Sequence, residues 1–174
     1  AAPEIAFPRR LPVPAYLLLR RCCRRPCLRA ARREEERVPI KQTARDFREA
    51  CDGGKGWGTC GQWCSEGAAF RVQADALAGM KTLADYTEWA KGLLTPMPDA
   101  RAEFKSFAVD EDNNRVVVYA VFHGTHTADA GSGAPTGKSV ASDYVYVLDF
   151  EGSKISSMTK IWNDGHALKQ LGWI

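Results

Sequence analysis

Near the end of the 174-residue chain, "KIWNDGHALKQLGW" (residues 160–173) closes a strand-like run at Trp162 and follows it with Asn163 and Asp164. Either residue could be the working group of a pocket, or the pair could cap the helix that follows. A carboxylate at such a point can take and return a proton, whereas an amide can only hydrogen-bond a carbonyl or hydroxyl. Upstream, "RVVVYAVFHGTHTA" supplies His123 and His126. An odd number of positions separates them on one strand, so they face opposite ways and do not form a two-histidine metal site. His123 shares its face with Tyr119, Val121 and Thr125, and His126 shares the other with Phe122. One of the two histidines is expected to border a pocket and the other to lie at its rim or on an outer face. His166, in the terminal helix, reads as a hydrogen-bonded structural residue.

The strand "KSVASDYVYVLDF" puts Tyr144 and Tyr146 on one face with Leu148 and Phe150. That describes a half-buried sheet surface, and equally a pocket wall with two phenolic donors. Trp57, Trp63, Trp89 and Tyr86 read as core, although aromatics lining a cavity also suit a flat, polycyclic ligand. The candidate ligand contacts are therefore Tyr144, Tyr146, Trp89, Tyr119 and His126, beside Asn163, Asp164 and His123 as candidates for chemistry. Six cysteines are present, and Cys23/Cys27 and Cys60/Cys64 have three residues between them. That spacing occurs at zinc sites, but the tighter Cys-x-x-Cys pattern and a neighbouring histidine are both missing. Reduced thiols are the expectation, with no metal and an intracellular compartment, either cytoplasm or an organelle interior. "GSGAPTGK" lacks the spacing of a phosphate loop and reads as a hairpin connection.

The elements that would hold these groups change period midway. "TARDFREAC" (43–51) reads as a helix broken by "DGGKG", and "WGTCGQWCSEG" resumes with Trp57, Cys60 and Cys64 on one helical stripe. "AAFRVQ" is a short strand. "GMKTLADYTEWAKGLLTPMP" is a helix with Leu83, Tyr86, Ala90 and Leu93 at helical spacing and a stop at Pro96 and Pro98. From residue 101 the period is two: "RAEFKSFAVD", "RVVVYAVFHGTHTA", "KSVASDYVYVLDF" and "ISSMTKIW" are strands joined by turns. A helix "DGHALKQL" follows, closed by Gly172. Helices first and a strand meander after predict an α+β fold, a curved antiparallel sheet wrapped around N-terminal helices.

From about residue 43 to 173, "VFHGTHTADAGSGAPTGKSVASDYVYVLDFEGSKI" followed by "IWNDGHALKQLGW" resembles the SnoaL-like polyketide cyclase family of the nuclear transport factor 2-like superfamily. The resemblance implies a cone-shaped α+β barrel with a deep apolar pocket, commonly a homodimer through the outer sheet face. It also implies a cofactor-free intramolecular aldol closure of a polyketide ester, with an Asp after the last strand's Trp as general acid/base. Asn163 occupies the matching position and cannot carry the proton. Asn163 is expected to face the cone interior and Asp164 to cap the last helix, since a one-residue shift on a strand reverses the side chain.

Charge divides the chain. Residues 1–45 carry 12 of the 24 Lys and Arg but 4 of the 21 Asp and Glu, so the remainder is mildly acidic. Residues 1–40 therefore form a basic arm ahead of a domain over 41–174. A transit-like start, a mature end and adventitious translated sequence all stay open as its origin. The arm's apolar run, 13–19, is too short to span a bilayer, and no transmembrane segment is expected. Two functions compete. One is a cofactor-free lyase, isomerase, cyclase or binder of an apolar oxygenated small molecule. The other is a non-catalytic accessory subunit docked to a larger assembly through the arm. Nucleic acid is not expected, because the arm has only Phe7 and Tyr16 for stacking.

Overall fold

The computed structural model describes residues 40–129 and 133–174. The expected basic arm up to residue 39, with Cys22, Cys23 and Cys27, lies outside the described residues. Helix α1 (40–52) starts earlier than the sequence pattern suggested and runs directly into the core. Ile40, Ala44, Phe47 and Cys51 recur at helical spacing and are all buried. A short α2 (Trp57–Cys60) and a 3-10 turn (Gly61–Trp63) lead into β1 (Cys64–Val72). Cys64 is thus the first residue of a strand and not part of a helical stripe. Cys51, Cys60 and Cys64 are free, buried thiols.

A second 3-10 turn (Asp75–Leu77) precedes α3 (Leu83–Gly92). That helix starts where Thr82 and Asp85 cap each other's backbone N–H groups, at 3.1 Å and 3.0 Å. Strands β2 (Arg101–Asp110), β3 (Arg115–Thr125), β4 (Ser139–Glu151) and β5 (Lys154–Trp162) follow, then α4 (Asp164–Leu171).

The sheet order is β1-β5-β4-β3-β2. Four strands are antiparallel as expected, but β1 adds to β5 in parallel, so the five-stranded sheet is mixed and open. Alternation fixes which side is which. Val116, Val118 and Ala120 on β3, and Tyr144, Tyr146, Leu148 and Phe150 on β4, are buried on the inner face. On β5 the inward set includes Met158 and Lys160, with Trp162 continuing the phase. A bulge between Phe104 and Ser106 shifts β2, which turns Phe107 and Val109 toward the core on the same side as Ala102. Helix α4 is held against β4 by Gln170, which exchanges two hydrogen bonds with the Ala141 backbone at 2.8 Å and 3.1 Å.

The turn after α1 positions the last residue of that helix. Gly54 has φ of +63°, and a Cβ there would overlap the Leu94 side chain. Gly54→Ala is expected to cost about 1–3 kcal/mol through backbone strain and overpacking together. A lowered denaturant midpoint would check this.

Candidate active site

Between the main core and a smaller cluster of Met97, Val140, Ala167 and Leu171 lies a cavity of about 270 Å³. Its walls are mostly apolar, with Trp89, Leu93, Phe122, Trp162 and Trp173 among them. Two of the indoles are held by buried polar groups. Ser142 Oγ accepts from Trp162 Nε1 at 3.0 Å, and His126 Nδ1 accepts from Trp173 Nε1 at 3.1 Å.

The polar groups that reach the cavity come from three elements: Asp52 at the end of α1, Tyr86 on α3, and Tyr144, Tyr146 and Lys160 on the sheet. Asp52 accepts from Tyr144 Oη at 2.7 Å, from Tyr146 Oη at 3.1 Å and from Arg48 Nη1 at 3.2 Å. Lys160 Nζ donates to Tyr86 Oη at 2.9 Å, and the Tyr86 and Tyr146 hydroxyls are 2.7 Å apart. Each phenol has one proton. Because Tyr146 gives its proton to Asp52, Tyr86 must be the donor to Tyr146. The hydrogen bonds therefore run one way, from Lys160 through Tyr86 and Tyr146 to Asp52.

Burial works on both ends of that chain. Lys160 is 7% exposed, and desolvation lowers its ammonium to about 8, against an upward pull from Asp52 and Cys51. Five aromatic rings surround Nζ, with centroids from 4.7 Å (Trp162) to 5.9 Å (Tyr146) away. Desolvation raises the Asp52 carboxyl, while the two tyrosines, Arg48 and Lys160 pull it back. The C-terminal end of a helix is also an unfavourable place for a carboxylate. Tyr86, Tyr144 and Tyr146 are held in their protonated forms, chiefly by burial. A buried acid and a buried amine, shifted toward each other and joined by phenols, have a hydrogen-bonded route along which a proton can pass.

Several candidates from the sequence stand elsewhere. Asn163 does not face the interior. Trp162 points inward, so alternation turns Asn163 away, and its Oδ1 accepts the His166 N–H at 3.0 Å as the helix cap. Asp164 is therefore not the cap. It is the first residue of α4, and its carboxylate accepts from Gly165 N at 2.9 Å and from Ala76 N at 3.0 Å. That bond ties α4 to the turn carrying Ala76, a cavity residue. His123 lies on the outer face, 3.1 Å from Glu103. Tyr119 is also on the outer face, 37% exposed and bonded to Asp143. His126 is buried behind Trp173 and outside the cavity wall. Tyr144, Tyr146 and Trp89 do line the cavity. Among the described residues no three His, Cys, Asp or Glu side chains converge as a metal site, and no helix is long and apolar enough to cross a membrane.

Asp52 and Lys160 were not picked out from the sequence, although each left a trace. Lys160 falls in phase with Met158 and Trp162, a charged residue in an inward register. Asp52 follows the Ile40-Ala44-Phe47-Cys51 stripe directly and lies four residues after Arg48.

The profile of the SnoaL-like polyketide cyclases matches residues 42–171. Among solved structures, AclR of Streptomyces galilaeus, a candidate hydroxylase, is similar at a TM-score of 0.64 and 20% identity, covering 79% of this chain and 83% of its own. IdmH of Streptomyces antibioticus, a candidate polyketide cyclase, is similar at a TM-score of 0.61 and 17% identity, over 75% of this chain and 96% of its own. A protein from Catenulispora acidiphila with a ketosteroid isomerase-like fold, in complex with trimethylamine, superposes at a TM-score of 0.55 and 14% identity, over 75% and 92% of the two chains. At these identities the likeness is one of fold. No curated protein matches the sequence.

Proposed function

The chain belongs to the SnoaL-like polyketide cyclase family, and from that membership we propose that its cavity is the active site of a cofactor-free cyclase or isomerase. The substrate is an apolar, oxygenated carbonyl compound. The observation that carries this reading is the buried chain from Lys160 through Tyr86 and Tyr146 to Asp52, set in an apolar, aromatic-walled cavity. Asp52 takes a proton from the carbon beside the carbonyl, and the carbonyl group rests against Lys160. The developing enolate is stabilised by that cationic end, and Asp52, held by the phenols, carries the proton that is returned. In a cyclase the enolate carbon then attacks a second carbonyl of the same molecule. In an isomerase it is reprotonated at another carbon. Raising the Asp52 carboxyl by burial brings it nearer the range in which a carboxylate is an effective base.

Naphthylacetone, a flat ketone with exchangeable α-protons, tests the reading. In deuterium oxide the protein is expected to speed loss of the α-proton NMR signals over buffer, and filling the cavity with Ala90→Phe is expected to stop it. If naphthylacetone neither binds nor exchanges faster than in buffer, the cavity is not a carbonyl site of this kind.

A further inference from the structure

We propose that Lys160 captures its substrate covalently, as an iminium ion formed between Nζ and the substrate carbonyl. This rests on reading the cavity as a carbonyl site, and it deepens that reading by assigning the cationic end a bond-forming role.

Among the described residues Lys160 is the one lysine that is buried, and it lines the cavity rather than neutralising a surface acid. Its hydrogen bond goes to a phenol oxygen, Tyr86 Oη at 2.9 Å, and not to a carboxylate. A permanent ion pair would hold the amine protonated and hydrogen-bonded to its counter-charge. Here the counter-charge is two phenols away, along bonds that all point toward it. Passing one proton along Lys160, Tyr86, Tyr146 and Asp52 leaves a neutral amine and a neutral acid, with each phenol intact. Desolvation favours that neutral pair, in keeping with an ammonium lowered to about 8. The ring of aromatic faces around Nζ is equally suited to the delocalised cation that follows.

The step balances without a further reagent. The Nζ lone pair forms a bond to the carbonyl carbon, and the carbonyl π pair moves to oxygen. That oxygen leaves as water, taking one hydrogen from Nζ and the proton that Asp52 had received. The product is an iminium ion with one N–H, and Asp52 is again a carboxylate. It then removes the α-proton, and the electron pair flows into the iminium to give an enamine, a carbon nucleophile for ring closure.

The test is reductive trapping of the full-length protein with naphthylacetone and cyanoborohydride at neutral pH, read by intact mass and peptide mapping. A near-stoichiometric secondary-amine adduct is expected on the Lys160 peptide. Its rate of formation should rise as pH passes about 8, and the adduct should be absent in Lys160→Met. Lys160→Arg, which keeps the charge but cannot form the imine, should lose at least about 100-fold in α-proton exchange. If naphthylacetone is bound and exchanged but no adduct forms at Lys160, the covalent role is overturned and the acid–base reading stands. If it is neither bound nor trapped, both are overturned together.

Discussion

An Asp52→Asn variant folds and binds naphthylacetone but exchanges its α-protons about 10²- to 10⁴-fold more slowly, the range expected when a positioned base is removed. Asn keeps the size and plane of the side chain, and its carbonyl oxygen can still accept from one of the two tyrosines. What it lacks is a site for the proton, at either end of the transfer. The two effects separate in the kinetics. Loss of the rate constant with the Michaelis constant little changed marks loss of an interaction made in the transition state. Equal loss of binding and rate would instead mean that the Asn side chain has collapsed the wall formed by Tyr144 and Tyr146. Far-ultraviolet circular dichroism and Trp fluorescence of the variant check that the walls remain.

Lys160→Met removes the exchange activity and yet raises stability, by about 2–3 kcal/mol at pH 7, equivalent to about 5–10 °C in melting temperature. The cause is the burial that makes the amine useful. In the fold Lys160 releases its proton near 8, against about 10.4 for an unfolded lysine. Below pH 8 both states hold the proton, so the fold bears the full cost of a desolvated ammonium. Between about pH 8 and 10.4 the unfolded state binds more protons than the folded one, and stability rises with pH. Above that window the cost is gone. Met fills a similar volume without charge, and Arg48 still faces Asp52 at 3.2 Å. The advantage of Met should therefore be largest at pH 7 and shrink toward pH 10, which denaturant melts at several pH values would follow. A variant less stable than the parent at pH 7 would show that the ammonium is net stabilising, and that the cavity tolerates charge better than its walls suggest. Gain of stability with loss of activity is the usual sign of a residue kept for function.

The fold was largely legible because its signals are local. Tyr144, Tyr146, Leu148 and Phe150 alternate with polar partners, and Leu83, Tyr86, Ala90 and Leu93 recur at helical spacing. The parallel addition of β1 to β5 was not legible, because no turn or pattern near residues 64–72 records which distant strand they join. The site was legible only in its walls. Tyr144, Tyr146 and Trp89 line the cavity because aromatics in an inward phase line whatever the sheet encloses. Asp52 was missed because it ends a helix 92 residues before Tyr144, its phenol partner, and nothing in sequence brings the two together. Lys160 was not singled out, although the inward phase of Met158 and Trp162 includes it. Attention fell on Asn163 because of the resemblance, and there a single step past Trp162 decided the outcome. The chain turns into α4, and the amide closes the helix end instead of facing the cavity.

The most direct test compares α-proton exchange of naphthylacetone by Asp52→Asn and by Asn163→Ser, under one set of conditions. Ser retains the capping oxygen, so the second variant keeps α4 and probes only a chemical role for the amide. The account predicts near-complete loss of exchange in Asp52→Asn and an essentially unchanged rate in Asn163→Ser. Retained exchange in Asp52→Asn, with loss in Asn163→Ser, would contradict it and return the chemistry to the end of the last strand.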